Sequence, residues 1–453
     1  MSETDLKKIT FPSETKDEDT YAYNDADQMT EVKMKKSTET LGSLVYTRDD
    51  DNQVKKTTSK DLPGAEVTEN TYDENNRLTK SGTEYKYDAA NNPTTEGSST
   101  NTFNEGDELE KGTGTTYAYD ELGERTKATP EKGPATTYGY DQAGNLISAE
   151  RPKEGETSEI KDTYAYNGED LRTSQTISGT ASYLAWDMTE ELPLILGDGT
   201  NSYIYGPDGL PIEQISSGGT VTYLHHDQAG STRLLTGSTG TVTGKCTYGA
   251  YGTPTCEGTT TTPLGYDGQY TSSDTGLIYM RARVYDPSTA QFLTVDPLVE
   301  ETGAPYNYAG DNPSNYRDPT GREVLPLPVE ACAAGPEAAA ACAAVAAGVG
   351  IFGHEATESL INSITGEGSS EGSSGEEATS EAQRRVTCEF GADAEENIPR
   401  LDGTGKMHGS IPSYPPTDLT EEQAELGEDG AHRARINEEE TLLRQTEKRL
   451  SGS

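Results

Sequence analysis

This chain has little with which to build a thick apolar interior. Across 453 residues it holds one Trp and five Phe, and only 31% of it is hydrophobic. Basic residues are scarce too: 36 Lys and Arg stand against 78 Asp and Glu, a formal net charge of -42. That excess of acid excludes bulk binding of nucleic acid by the repeat region described below, because like charges would repel. The five cysteines form an odd set with no C-x-x-C and no Cys/His spacing suited to a metal, so no metal site and no cofactor is expected. Cys246 and Cys256 flank TYGAYGTPT, a hairpin reading that leaves a cross-strand disulfide and two small buried thiols both open. The opening MSETDLKKITFPSETKDEDT lacks the basic start and apolar run of a secretory signal. The apolar run from Ala338 to Phe352 is fifteen residues. A membrane helix needs about 20, so this run reads as a packed or interfacial helix in preference to a membrane contact.

What the chain does have is tyrosine, 26 of them, and a recurring phrase. TYAYDELGERT around Tyr119 is repeated as TYAYNDADQMT around Tyr23, TYDENNRLT around Tyr72 and EYKYDAANNPT around Tyr87. NTFNEGDELE around Phe103, TYGYDQAGNLIS around Tyr140 and TYAYNGEDLRTS around Tyr166 follow the same frame. YTRDDDNQVKK fits it with Arg48 in the aromatic slot and Asp49 in the acidic one. The spacing of about fifteen to twenty-six residues is one β-hairpin per unit. In Y-x-Y the two rings share one strand face, where cross-strand aromatic contacts stabilise a sheet. The Asp or Asn that follows ends the strand, and Gly123 and Gly144 fit a turn that needs positive φ. The composition suits a thin sheet whose tyrosines pack their rings and leave their hydroxyls in water.

The chain divides by texture. Residues 1–180 are hairpin repeats, and 181–322 continue as strands such as YLAWDMTEELPLIL, NSYIYGPDGLPIEQ and TVTYLHHDQAGSTRLLT, separated by glycine turns. Residues 323–365 are Ala-rich and helix-prone, 366–383 (GEGSSEGSSGEEATSEAQ) read as a flexible linker, and 384–453 end in a stretch of helical composition.

Three segments carry a more specific signal: YLHHDQAGSTRLLT, GYDGQYTSSDTGLIYMRARVYDPSTAQFLTVDP and PYNYAGDNPSNYRDPTG. With the repeats, over roughly residues 20–322, they resemble the end of an RHS/YD-repeat protein with its RHS-associated core, a family of bacterial polymorphic toxins. The resemblance implies a mainly β fold, part of a spiral YD-repeat shell ending in an RHS core, followed by a small, mostly α C-terminal region. It implies a shell fragment that carries and presents a C-terminal toxin cassette for interbacterial competition, secreted or at the cell surface. Its partners would be an immunity protein and either secretion machinery or the N-terminal remainder of the shell. The alternative is a non-enzymatic surface module with a degenerate tail.

Three Asp-Pro steps fall in the core segments, at Asp286, Asp296 and Asp318. Each Asp can cap a turn whose φ the proline fixes, and Asp286 is read that way. For Asp296 and Asp318 the resemblance implies an aspartyl self-cleavage site that cuts just after the final Asp-Pro motif, with Arg281 and Arg283 in support. Two close carboxylates share a proton, which divides base and acid roles between them. The chain departs from the family pattern in having Arg322 where Leu is usual, and DNPSNY in place of an asparagine-rich run. In the cassette, His408 in a Gly/Pro-rich loop and His432 at a helix start are candidate base and acid of a metal-independent nuclease. Arg433, Arg435, Arg444 and Lys448 would then face phosphates. The competing reading is a surface loop histidine and a helix with charge pairs such as Glu440 to Arg444.

Overall fold

The computed structural model describes residues 6–152, 159–189, 192–206, 209–327, 387–389, 400–401 and 407–408. The Ala-rich helix, the linker at 366–383, and the helical end with His432, Arg433, Arg435, Arg444 and Lys448 lie outside them. The described residues fall into two units. In the small C-terminal one, Arg400–Leu401 pairs antiparallel with Met407–His408, which puts His408 on a strand.

The large unit is a sheet meander. Every strand from Lys8–Thr10 to Pro254–Gly258 pairs antiparallel with its sequence neighbour, apart from two places where the chain leaves one sheet and opens the next. These are Asn101, between Ser99–Thr100 and Thr102–Phe103, and Leu184, between Thr180–Tyr183 and Ala185–Asp187. The third sheet returns to the first. His225 Nδ1 lies 2.7 Å from Asp19 Oδ1, Arg48 donates to Gln228 Oε1 at 3.1 Å, and Glu14 N donates to Ser238 O at 2.9 Å.

The repeat phrase explains the wall. Ladder register shifts at the second aromatic slot in all eight copies, from Ala22/Tyr23 through Ala165/Tyr166, so each is a bulge that re-aims the chain. The Asp or Asn that follows closes a tight turn: Asp120 Oδ1 accepts from Leu122 N at 2.9 Å and Glu124 N at 3.0 Å. Asn24, Asp49, Asp73, Asp88, Asn104, Asp141 and Asn167 do the same two and four residues on. Three residues past each of these eight stands a residue of positive φ, Gly123 and Gly144 among them.

The tyrosine hydroxyls are not left in water. Tyr72, Tyr87, Tyr140 and Tyr166 donate to the carbonyls of Val54, Leu78, Arg125 and Leu146 at 2.7 to 2.8 Å. Each acceptor lies five residues past the turn Asp of the preceding repeat, and Trp186 Nε1 continues the series onto Arg172 O at 2.7 Å. Thus the ring supplies buried area and its hydroxyl satisfies a buried carbonyl of the repeat before it. The thiol question is also resolved: Cys246 and Cys256 form a disulfide between facing positions of Val242–Tyr248 and Pro254–Gly258.

Inside the wall sits a small sheet of Tyr270–Thr271, Ile278–Met280, Arg283–Asp286 and Gln291–Phe292. Period-two alternation splits its side chains. Ile278, Met280 and Tyr285 pack with Leu78 and Tyr85 of the first sheet region, whereas Tyr279 and Val284 pack with Leu146 and Tyr164 of the second. Both faces are covered, which is why the segment reads as a near-continuous apolar run.

Candidate functional site

The three Asp-Pro aspartates have different fates. Asp286 is structural: its Oδ1 accepts from Ser288 N at 3.0 Å and its Oδ2 pairs with buried Arg125 at 2.9 Å. Asp296 and Asp318 instead converge on one cation. Arg283 Nη2 lies 3.2 Å from Asp296 Oδ2 and 3.2 Å from Asp318 Oδ2, with all three side chains buried. The guanidinium stacks over Phe292, 3.7 Å from the ring centroid, and its Nε donates to Gly321 O.

Local geometry delivers each group. Ile278–Met280 and Arg283–Asp286 are joined by a two-residue turn, Arg281-Ala282, with Arg281 at φ +61°. Ala282 N donates to Thr320 O at 3.1 Å, which lays the Asp318 segment along this turn. Gly321 makes that approach close. A Cβ there would stand 2.5 Å from Met280 O and 2.9 Å from Arg283 N, and its φ is +71°. No other residue type fits. Asp296 is held by Leu298 N, which donates to its Oδ1 at 2.8 Å.

Asp318 Oδ1 accepts from Arg322 N at 3.0 Å, Glu323 N at 3.1 Å and Thr320 Oγ1 at 3.2 Å. It therefore touches the amide nitrogen of the bond that joins Arg322 to Glu323. The Arg322 side chain is exposed, and Glu323 is half-buried. Two residues further on, Leu325–Pro326 pairs with Tyr316–Arg317.

The charge balance here is unequal. Burial pushes the Asp296 and Asp318 carboxyls up, against the pull of Arg283. Glu323 is also raised, by burial and then by Asp318. One arginine thus stands against three carboxyls that burial pushes up. Of the two arginines expected to support the pair, only Arg283 touches it. Arg281 turns away, donating to Pro193 O, Gln269 Oε1 and Pro319 O. Sequence reasoning missed Phe292 and the steric role of Gly321, although Gly321 stood in the quoted DPTG.

Comparison with known proteins bears on the whole unit. The family model for the Teneurin YD-shell matches residues 4–315. A tRNA3(Ser)-specific nuclease, WapA, of Bacillus spizizenii is 28% identical over 264 residues, covering 53% of this chain and 11% of its own. Double-stranded DNA deaminase toxin A of Burkholderia cenocepacia is 28% identical over 177 residues, covering 34% of this chain and 12% of its own. The chain thus spans about a tenth of the length of these curated relatives. Among solved structures, a Photorhabdus luminescens Tc holotoxin pore aligns with a TM-score of 0.53 at 16% identity, over 67% of this chain and 18% of that one. That likeness is one of fold.

Proposed function

The chain belongs to the Teneurin YD-shell family, and from that premise we propose that it is a shell segment that carries a C-terminal cassette and cuts itself free of it. Two relatives with different named activities, a tRNA nuclease and a DNA deaminase, each share a stretch of this chain. That relatives of such different named activities each match part of this chain suits a carrier better than a catalyst. The cassette at 384–453 is then the toxin, delivered in interbacterial competition from the cell surface or by secretion, with an immunity protein as its partner in the producer.

The observation that carries the cleavage reading is Asp318 Oδ1 at the Glu323 amide while its Oδ2 shares Arg283 with Asp296. Water adds to the Arg322 carbonyl carbon as the ionised carboxyl takes its proton. The protonated partner hands its proton to the carbonyl oxygen. Collapse breaks the bond to Glu323 N, which takes a proton from the pair. The new termini are an Arg322 carboxylate and a Glu323 amine. Arg283 holds both carboxyls in place but leaves them one charge in excess, which is what keeps the shared proton there.

Intact mass of the purified chain tests this. The expected result is a fragment beginning at Glu323, absent in Asp296→Asn and Asp318→Asn. A wild type that stays whole, and is still whole as Arg322→Leu, would leave the aspartates a structural role only. Cleavage that persists in both Asn variants would exclude the pair. For the cassette, expression of 384–453 in a bacterial cytosol should arrest growth. Degraded RNA relieved by His408→Ala supports the nuclease reading, and no arrest supports the non-enzymatic surface module.

A further inference from the structure

About half of the described arginines in this acidic chain pair with an aspartate, and buried Arg172 stacks on tyrosine rings instead. Arg77, Arg125, Arg151, Arg233 and Arg283 each have an aspartate within 3.2 Å. Arg281 and Arg317 have none among the described residues, yet both line one cavity between the third sheet and the inner sheet. It offers about 30 Å³ to the centres of water molecules, room for a small anion. Trp186, Tyr205 and Tyr279 form its walls.

Arg281 spends its donors on neutral oxygens, those of Pro193, Gln269 and Pro319. Burial pulls its pKa down to about 10, with Arg317 adding repulsion. It also sits at φ +61°, a conformation costly for arginine and one that aims the guanidinium into the cavity wall. Arg317 donates from Nη1 to Ala229 O at 3.1 Å, and its Nε is buried with no partner. The one carboxyl on the wall among the described residues, Asp267, is engaged by Ser231 Oγ at 3.3 Å and by the Tyr308 hydroxyl. Burial pushes Asp267 up to about 7, which weakens it as a counter-charge.

Two neighbouring, largely covered guanidiniums with only Asp267 nearby, a carboxyl already raised by burial and engaged by Ser231 and Tyr308, are under-compensated. With 78 acidic residues in the chain, a counter-ion of its own would have been easy to supply. We propose that the cavity is a binding site for a small oxyanion, inorganic phosphate or a short carboxylate, bridged between Arg281 and Arg317. Arg281 also holds Pro319 O at 2.7 Å and Arg317 precedes Asp318, so the bound anion braces the segment that carries Asp318. The site stands whether or not the chain cuts itself.

Titration calorimetry of the full chain with sodium phosphate, and separately with sodium acetate, at fixed ionic strength tests the site. The expected result is one anion per chain, with affinity falling about tenfold or more in Arg317→Gln and less in Arg317→Lys. The wild-type thermal midpoint should rise by roughly 3 °C for each tenfold of anion above saturation, and that of Arg317→Gln should not. Heat with phosphate alone assigns a phosphate site, and heat with acetate alone a carboxylate site. No heat with either anion overturns the proposal. So does an affinity unchanged in Arg317→Gln, or an equal thermal rise in both proteins, which is general salt exclusion. If Arg317→Gln does not fold, Arg281→Lys and Arg317→Lys decide on the same readouts.

Discussion

The wall and the inner sheet use the same residues to opposite ends. In the wall, tyrosine hydroxyls are spent on carbonyls, and buried Arg125 reaches across to a single aspartate of the inner sheet, Asp286, that also caps a turn. In the inner segment, two aspartates crowd one arginine, while Arg281 and Arg317 form no ion pair among the described residues. The wall meets its tyrosine hydroxyls locally, yet it also buries Arg172 against the rings of Tyr164 and Tyr279, with no carboxylate beside it among the described residues. Around Arg283 and Arg281 several perturbed groups lie close together, whereas those of the wall, such as His226, are scattered along it.

The largest effect that would sharpen this contrast comes from removing the two cations. Arg125→Met strands Asp286 and should cost about 3–5 kcal/mol in urea denaturation. Arg283→Met should cost clearly less at pH 5 than at pH 8, because Asp296 and Asp318, already raised, can take up protons in place of the lost charge. Equal losses at the two pH values would contradict the shared-proton picture.

Next in size is the dependence of stability on pH, which should run in opposite directions for the two regions. His226, in the wall, is pulled down to about 3 by burial and by His225. Its contribution is present above about pH 6.5 and is lost as pH falls toward 3. Asp311, beside the inner sheet, is pushed up to about 8 by burial. Its contribution is present below about pH 4 and is lost as pH rises through 8. Denaturation midpoints across pH should therefore peak between these limbs, with His226→Leu flattening the acid limb and Asp311→Asn the alkaline one.

Smaller still are the hydroxyl bonds of the wall. Tyr140→Phe or Tyr166→Phe leaves a carbonyl without its donor and should cost about 1–3 kcal/mol by urea denaturation, whereas Tyr183→Phe, 74% exposed, should cost almost nothing. The smallest expected change is Asn52→Gly. At φ +63° it should shift stability by less than about 1 kcal/mol, and Asn52→Val should lower it by more.

Much of the wall was legible because its determinants are local. An aromatic pair, an Asp or Asn and a turn residue lie within seven positions, and the hairpin follows. The positive-φ position was read only at Gly123 and Gly144, although Asp27, Asn52, Asn76, Asn91, Asp107 and Asp170 occupy it in the other six copies. Asn and Asp tolerate that conformation, so the signal was present. The hydroxyl acceptors were not legible, since alternation gives the face of a strand and not the carbonyl it meets. Nor was the parting of Arg281 from Arg283. Two residues apart on a strand they would share a face, but a two-residue turn comes between them. Asp296 and Asp318 are twenty-two positions apart with no periodicity, and only the resemblance joined them.

The short hydroxyl-to-carbonyl bonds of Tyr72, Tyr87, Tyr140 and Tyr166 point backwards, each to a carbonyl of the repeat before it. The wall therefore has a grammar of dependence: a unit can complete itself only on a predecessor already in place. A chain emerging from the ribosome meets that condition in the order of its synthesis, and the spiral can grow by accretion at its newest edge. A circular permutant opened in mid-wall would present units whose predecessors arrive last, and should refold more slowly than the natural order even where the finished contacts are the same.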